Sequence, residues 1–393
     1  MDLKSTTKTA KGKRIMAKSE KTKFSLTLEQ RSILDKALAK AEPTQFIETG
    51  DVGLDLALSD GKGLPMGSST LFWAKPGCGK TTVVTDACKR LIQSAKNRGE
   101  KFQVLYLAVE DSRSLMSSLG MDEFIESGDF IYFAQGFRWR HIETFYQAVL
   151  NGHKGYENVK LIVVDSVNNV ISDQQSEKSV ADGDYGTKAR ERYAFYQKFL
   201  PLCKEAKVSS FFIAQVRHNQ AAKTQYDPSE KAAVGDGDLH NVDIILKCTA
   251  SSDKKDASKI DEETIFGIDK VASKCIFKMD SKATYCKNRY IRGNTVELLF
   301  EKGKCVWNYY TVKKLLQGNG IIKDSGGWYT FDPEVCAGLG LPESKLRNAE
   351  VNKIVQEHAG EFVDILKKMG KYKVGLRETE VTIDTDINDG EEE

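Results

Sequence analysis

The sequence predicts an α/β fold built on a largely parallel sheet, and three observations carry that prediction. Between about Phe46 and Asn308, short apolar runs of β character alternate with helical stretches. One glycine-rich turn joins such a strand to such a helix, and one run of four apolar residues ends in an aspartate. Alternation of this kind buries both faces of a sheet under helices, so the strands read as continuous apolar runs. They are expected at Thr70–Ala74, Val104–Val109, Phe130–Ala134, Leu161–Asp165, Ser209–Ala214 and Ile244–Cys248.

The flanks follow in order. Residues 1–22 carry seven basic residues among Ser, Thr and Gly, too polar to fold unaided. They suit phosphate contacts or form a solvated tail without a partner, and composition leaves both open. Over residues 23–45, Leu26, Leu28, Ile33, Leu34, Leu38 and Ala41 recur near helical spacing until Pro43, which predicts a short helical arm. Residues 46–308 form the α/β core. Within it the polar run Ser251–Glu263 reads as a surface loop before strands around Cys275–Lys282 and Thr295–Glu301. Helical signals at Val312–Leu316 and Val351–Met369 surround Gly327-Trp328-Tyr329-Thr330-Phe331, which predicts a small α+β C-terminal domain over residues 309–377. From Glu378 there are eight acidic residues and no basic one, hence an expected acidic tail, 378–393.

Composition narrows the function classes. The chain has 393 residues, 40% hydrophobic and 29% charged, enough for a sizeable core. A net charge of only +2 means that affinity for a polyanion must come from local clusters. Eight cysteines occur singly, with no C-x-x-C pair, which argues against zinc and for a reducing cytoplasm. No run approaches the roughly 20 apolar residues of a spanning helix, and the N-terminus lacks the apolar core of a signal peptide. A membrane role is not expected.

The chemistry-bearing residues begin with Ala74-Lys75-Pro76-Gly77-Cys78-Gly79-Lys80-Thr81, between an expected strand and the helical run Val83–Leu91, with Thr82 at the helix start. This is the context of a phosphate-binding loop: glycines let backbone N–H groups close on phosphate, Lys80 reaches the terminal phosphates, and Thr81 offers its hydroxyl to Mg²⁺. Ala74 replaces the first glycine of the pattern and asks for negative φ there. Leu161-Ile-Val-Val-Asp165 reads as a buried strand whose terminal carboxylate faces that loop and supports the metal. Glu110, after Val104–Val109, stands where a carboxylate can orient an attacking water, with Asp111 the competing choice. Gln215 ends Phe211–Ala214 and either senses the γ phosphate or merely caps its strand.

Two long polar stretches follow central strands. Ser172–Gly186 ends in Asp184-Tyr185-Gly186 and precedes Lys188, Arg190 and Arg192, while Val216–Asp238 carries Arg217, His218, Lys223 and Lys231. Loops of this length in a compact domain are usually functional or disordered. Cations with one aromatic suit a single-stranded nucleic acid, phosphates on the cations and a base on the ring. Tyr185 packing against the domain stands as the alternative.

Ile47-Glu-Thr-Gly50-Asp-Val-Gly-Leu54-Asp55, then Gly63-Leu-Pro65-Met66-Gly67 ahead of the phosphate loop, resembles the entry to the core of the RecA family of DNA strand-exchange recombinases, bacterial and bacteriophage. Gly327-Trp328-Tyr329 and the acidic end are similar to the C-terminal part of that family. The resemblance implies an ATP- and Mg²⁺-dependent ATPase that forms helical filaments on single-stranded DNA, pairs them with homologous duplex, and works with single-stranded-DNA-binding or mediator proteins. It implies nucleotide and metal binding by Lys80, Thr81 and Asp165, water activation by Glu110, and coupling through Gln215. It places Tyr185 as a wedge between bases and Arg190 and Arg217 on the DNA backbone. Cys286-Lys287-Asn288-Arg289 is similar to the run by which one RecA subunit reaches its neighbour's ATP, implying catalytic roles for Lys287 and Arg289.

The sequence also departs from that family. After Glu110 it lacks the residues that flank adenine, the stretch before Ile47 is too short for the family's inter-subunit strand, and His240 stands where an aromatic is usual, as a signalling group or as a plain packed or solvated histidine. Lys287-Asn288-Arg289 with the following Gly293–Leu299 resembles DnaB-type helicases and RadA-type proteins as well, which keeps open a ring-forming DNA motor. A regulatory ATPase on the same fold, with no DNA role, is the third reading.

Overall fold

The structure, a computed structural model, describes residues 44–110, 112–174, 186–218, 229–251, 274–301 and 305–372. The expected basic tail, most of the helical arm, the loop at Ser251–Glu263 beyond its first residue, and the acidic tail lie outside the described residues. The fold that follows is that of the unit beginning at Gln45.

The chain enters through β1 (Phe46–Ile47), antiparallel to β2 (Leu64–Pro65), with helix α1 (Val52–Ser59) between them. The central strands are β3 (Ser69–Ala74), β4 (Gln103–Ala108), β5 (Phe130–Ala134), β6 (Val159–Asp165), β7 (Ser209–His218) and β9 (Ile244–Ser251), parallel throughout in the order β9-β3-β7-β6-β4-β5. An antiparallel extension, β10 (Lys274–Asp280), β12 (Thr295–Glu301) and β13 (Cys305–Trp307), continues the sheet beyond β9. The two-residue β11 (Lys287–Asn288) also pairs with β9.

Alternate residues of the same strands serve opposite faces, as the period of two requires. Phe72, Tyr106, Val163, Phe211 and Ile213 join one buried cluster with α1 and helix α2 (Lys80–Asn97). Trp73, Leu105, Leu107, Val164 and Phe212 join a second cluster with α5 (Trp139–Leu150) and α6 (Thr187–Glu205). Short helices α3 (Arg113–Ser118) and α4 (Asp122–Glu126) connect β4 to β5. Helix α2 is amphipathic, with Val83, Val84, Ala87, Cys88, Leu91, Ile92 and Ala95 at three- and four-residue steps facing the sheet.

Two expectations about local structure are corrected. The strand expected to stop at Ala214 runs to His218 and turns back as β8 (Glu230–Ala232), antiparallel to it, before α7 (Asp236–Asn241). Part of the polar stretch after Gln215 is therefore a hairpin, because polar side chains are compatible with a strand that leaves the buried sheet. The helical signal Val351–Met369 is two helices, α10 (Asn348–Glu357) and α11 (Ala359–Lys368), divided at His358.

From Asn308 the chain forms α8 (Asn308–Gly318), the antiparallel strands β14 (Ile322–Ser325), β15 (Trp328–Phe331) and β16 (Leu346–Arg347), α9 (Pro333–Leu339), α10 and α11. Val312, Leu316, Phe331, Val351 and Phe362 belong to the same buried cluster as Leu298 and Phe300 of β12. Polar ties reinforce the seam. Arg90 of α2 bonds Asp86 at 2.7 Å and donates to the carbonyls of Val306 at 2.7 Å and Gly50 at 3.3 Å. Asn308 donates to the Gly50 carbonyl at 2.8 Å and accepts from Val52 N at 3.1 Å.

Candidate nucleotide site

The phosphate-binding loop opens where β3 ends and closes where α2 begins. Ala74 is still a strand residue, paired with Gln215 in parallel register, so the first position of the loop works without glycine. Gly77 and Gly79 take φ of 72° and 98°, conformations that favour glycine. At Gly79 space decides as well, because a Cβ would lie 2.4 Å from the ring of Phe300. Cys78 and Thr82 are buried against the core, whereas Lys75, Pro76 and Gly77 are exposed on the lip. The Lys80 ammonium is buried and donates to the carbonyls of Ala74 at 3.1 Å and Lys75 at 3.0 Å, which holds it over the loop.

Thr81 Oγ1 donates to Asp165 Oδ2 at 2.7 Å, and Tyr106 donates to the same oxygen at 2.8 Å. Burial pushes the Asp165 carboxyl upward, against the lowering effect of those two hydrogen bonds, and the nearby Glu110 raises it further. A desolvated carboxylate beside a hydroxyl at a helix N-terminus fits a hard divalent cation, which would relieve the cost of keeping that charge. Among the described residues no group of three His, Cys, Asp or Glu could hold a metal alone. Mg²⁺ at this position would draw its other ligands from water and phosphate oxygens.

Glu110 and Gln215 stand at the same sheet edge. Ala108 pairs with Asp165, Asp165 with Ile213, and Ala74 with Gln215, which brings the ends of four strands into one row. Glu110 Oε1 accepts from Gln215 Nε2 at 3.4 Å and from Asn169 Nδ2. Asp111, the competing base, lies outside the described residues. Carboxylates and amides at the C-terminal edge of a parallel sheet, above a helix N-terminus, are the setting in which α/β proteins bind phosphate-bearing ligands.

Reading the sequence missed four contributors. Tyr106 lies within an apolar strand, and only its polar tip signals a role. Asn168 and Asn169 follow the strand that ends in Asp165, as the only amide side chains of the turn that follows it. Glu230 pairs with Lys75 of the loop at 2.8 Å and approaches Lys247 at 4.0 Å.

Several expected residues lie elsewhere. Tyr185 and Lys223 are outside the described residues. Arg190 is exposed on the first turn of α6, and Arg217 of β7 donates to the Val234 carbonyl at 2.9 Å. Lys231 of β8 sits 5.9 Å from the Tyr285 ring. Arg192 is corrected: it is buried and paired with Asp238 at 2.6 Å, so it braces α6 against α7 and presents no cation to a ligand. Lys287 donates to the His240 carbonyl at 3.1 Å, and Arg289 reaches the same carbonyl at 2.6 Å and Asp243 at 3.0 Å. Burial, with Arg289 close by, lowers the Lys287 ammonium to about 8. Asn288 between them caps α1, donating to the carbonyls of Ala57 and Leu58 at 3.0 and 2.9 Å. His240 is exposed, and its backbone oxygen receives both cations.

Strand order, phosphate loop and the carboxylate that ends β6 are those of a RecA-like P-loop ATPase. A family model described as an AAA domain matches residues 60–221. Protein RecA of Arthrobacter sp. (strain FB24) is 25% identical over 330 residues, covering 81% of this chain and 84% of that protein. Protein RecA of Paenarthrobacter aurescens (strain TC1) is 24% identical over 339 residues, 85% of each. Protein RecA of Streptococcus pneumoniae (strain Hungary19A-6) is 23% identical over 360 residues, 90% of this chain and 81% of that protein. No helix among the described residues is long and apolar enough to cross a membrane.

Proposed function

We propose that the chain is an ATP-driven DNA recombinase that assembles along single-stranded DNA and promotes homologous pairing and strand exchange. The observation that carries this reading is the continuity of one strand: β7 holds Gln215 against Glu110 and then leaves the sheet as the hairpin that bears Arg217 and Lys231. Nucleotide chemistry and a cationic segment thus share a single rigid element. The likeness to RecA proteins along most of the chain supports the same reading.

In this scheme backbone N–H groups of the loop and Lys80 hold the phosphates, and Thr81 with Asp165 holds Mg²⁺, which supplies charge neutralisation when bound. Glu110 orients the attacking water and accepts its proton, while Asn169 and Gln215 fix the carboxylate by donating to Oε1. Lys287 and Arg289 act on the ATP of a neighbouring subunit, where fixed cations stabilise charge developing on the transferred phosphoryl group. Tyr185 stacks on bases, and Arg190, Arg217, Lys223 and Lys231 contact phosphates, so that sequence is read by base pairing alone. The region 309–377 serves as a small domain for incoming duplex.

Electron microscopy with single-stranded DNA and a non-hydrolysable ATP analogue tests the proposal. Open helical filaments are expected. Closed rings would replace the reading with a ring-forming motor, and salt-independent indifference to DNA would leave a regulatory ATPase.

A further inference from the structure

The backbone of Gln215 is tied to the return arm of its hairpin at both polar groups. Its carbonyl accepts from Ala233 N at 2.8 Å. Its N–H donates to Asn168 Oδ1 at 2.7 Å, and the Nδ2 of the same amide donates to the Ala233 carbonyl. One carboxamide therefore replaces a missing rung of the β7–β8 ladder. It uses the acceptor and the donor that an Asn side chain presents about two ångströms apart, an arrangement that no hydroxyl or carboxylate supplies.

The same arm reaches the phosphate loop from the other side through Glu230 and Lys75. Lys75 is exposed and Glu230 partly so, and the pair contributes little to stability, but it brings β8 against the loop that would hold the phosphates. The side chain of Gln215 meets Glu110, and Glu110 meets Asn169, the next residue along from Asn168. The two amides after the Asp165 strand thus divide the work: Asn169 orients the carboxylate, and Asn168 ties the sensor's backbone to the arm.

We infer that Asn168 is a positioning residue that transmits nucleotide state from Gln215 to strand β8. The inference rests on the functional reading above only for the identity of what β8 finally engages. The coupling itself concerns nucleotide and protein alone.

The test uses the full chain and hydrogen exchange of the amides of residues 230–234, with and without a non-hydrolysable ATP analogue and Mg²⁺. In the parent the analogue should change exchange there about tenfold. In Asn168→Ala that difference should shrink to less than twofold while the analogue still binds. Asn168→Asp keeps the acceptor for Gln215 N–H but sets a carboxylate against the Ala233 carbonyl. It should retain the analogue's effect at Gln215 and lose it at 230–234, a split that a merely destabilised loop would not produce. Should Asn168→Ala fail to fold, Asn168→Asp alone decides, by loss or retention at 230–234. Retention of the parent's effect in the variants overturns the inference, and so does a parent in which the analogue leaves 230–234 unchanged. A parent that shows the exchange effect but no response of hydrolysis to single-stranded DNA supports the role of Asn168 and sinks the recombinase reading.

Discussion

Thr81 and Asp165 share a hydrogen bond of 2.7 Å across the mouth of the site, from the first turn of the loop helix to the end of β6. Residues 84 apart in sequence thus meet at the position proposed for the cation. Thr81→Val, which keeps the shape and removes the donor, should raise the Mg²⁺ concentration for half-maximal hydrolysis and lower the rate about tenfold or more. A Mg²⁺ titration of hydrolysis identical to the parent's would remove Thr81 from the metal site.

Lys80→Ala should abolish nucleotide binding, whereas Glu110→Gln should bind ATP normally and hydrolyse it roughly 10²-fold more slowly, the scale of general base catalysis. Binding of a fluorescent ATP analogue and single-turnover hydrolysis separate the two effects. Parental hydrolysis by Glu110→Gln would shift the base to Asp111.

The lowered Lys287 ammonium, at about 8, gives the site proposed between subunits a pH signature. In the unassembled chain its charge is present below that value and lost above it, and a neighbour's phosphates would raise the value, so hydrolysis by the assembled protein should fall as pH rises above about 8. Lys287→Arg should flatten that fall, because guanidinium stays charged throughout. Mixing inactive Lys80→Ala with inactive Arg289→Ala subunits should restore part of the activity. Failure to do so at every ratio, despite co-assembly, would place the two residues outside a neighbour's site.

Tyr185→Ala should weaken single-stranded DNA binding by about 1–3 kcal/mol per stacked base and leave the melting temperature without DNA unchanged. Arg190→Ala and Arg217→Ala should instead reduce the slope of affinity against salt by nearly one ion each. Loss of thermal stability with DNA binding intact would show that the Tyr185 ring packs against the protein.

Two buried carboxyls predict how stability varies with pH. Burial pushes Asp51 up to about 6 and Asp55 up to about 7, the latter despite hydrogen bonds from Thr49 N at 2.9 Å and Thr49 Oγ1 at 2.6 Å. The folded state keeps protons that the unfolded chain releases near pH 4. This contribution is therefore complete below pH 4 and lost as pH rises through 6 and 7. One such group can change stability by at most about 1.4 kcal/mol per pH unit. Asp55→Asn, whose Oδ1 can accept both Thr49 bonds, should decline less than the parent between pH 6 and 7 in urea unfolding. Parallel declines would mean that Asp55 is ionised throughout.

The parallel sheet was legible because residues buried on both faces leave no polar interruption, as in Leu161–Val164, and because glycine and lysine spacing around Lys80 admits few geometries. The row formed by Ala74, Asp165 and Gln215 could be placed at one edge from strand ends alone. The hairpin after Gln215 could not, since its pairing is made by backbone groups and by Asn168, and a polar run looks the same in sequence whether or not its backbone is paired. Arg192 misled for a related reason: on a helix rich in cations, only the third dimension reveals that Asp238 neutralises one of them.

The knot around Arg90 and Asn308 bears on how the molecule can be divided. A shortened protein ending near residue 307 would strip helix Asn308–Gly318, whose Thr311 donates to the Glu297 carbonyl at 3.0 Å, from β12 and open the buried cluster they share. It would also remove the side chain that satisfies Gly50 and Val52 at the entry to α1. Such a fragment should aggregate. The practical seam for a minimal protein therefore does not fall at residue 307, although the hydrophobic pattern changes there.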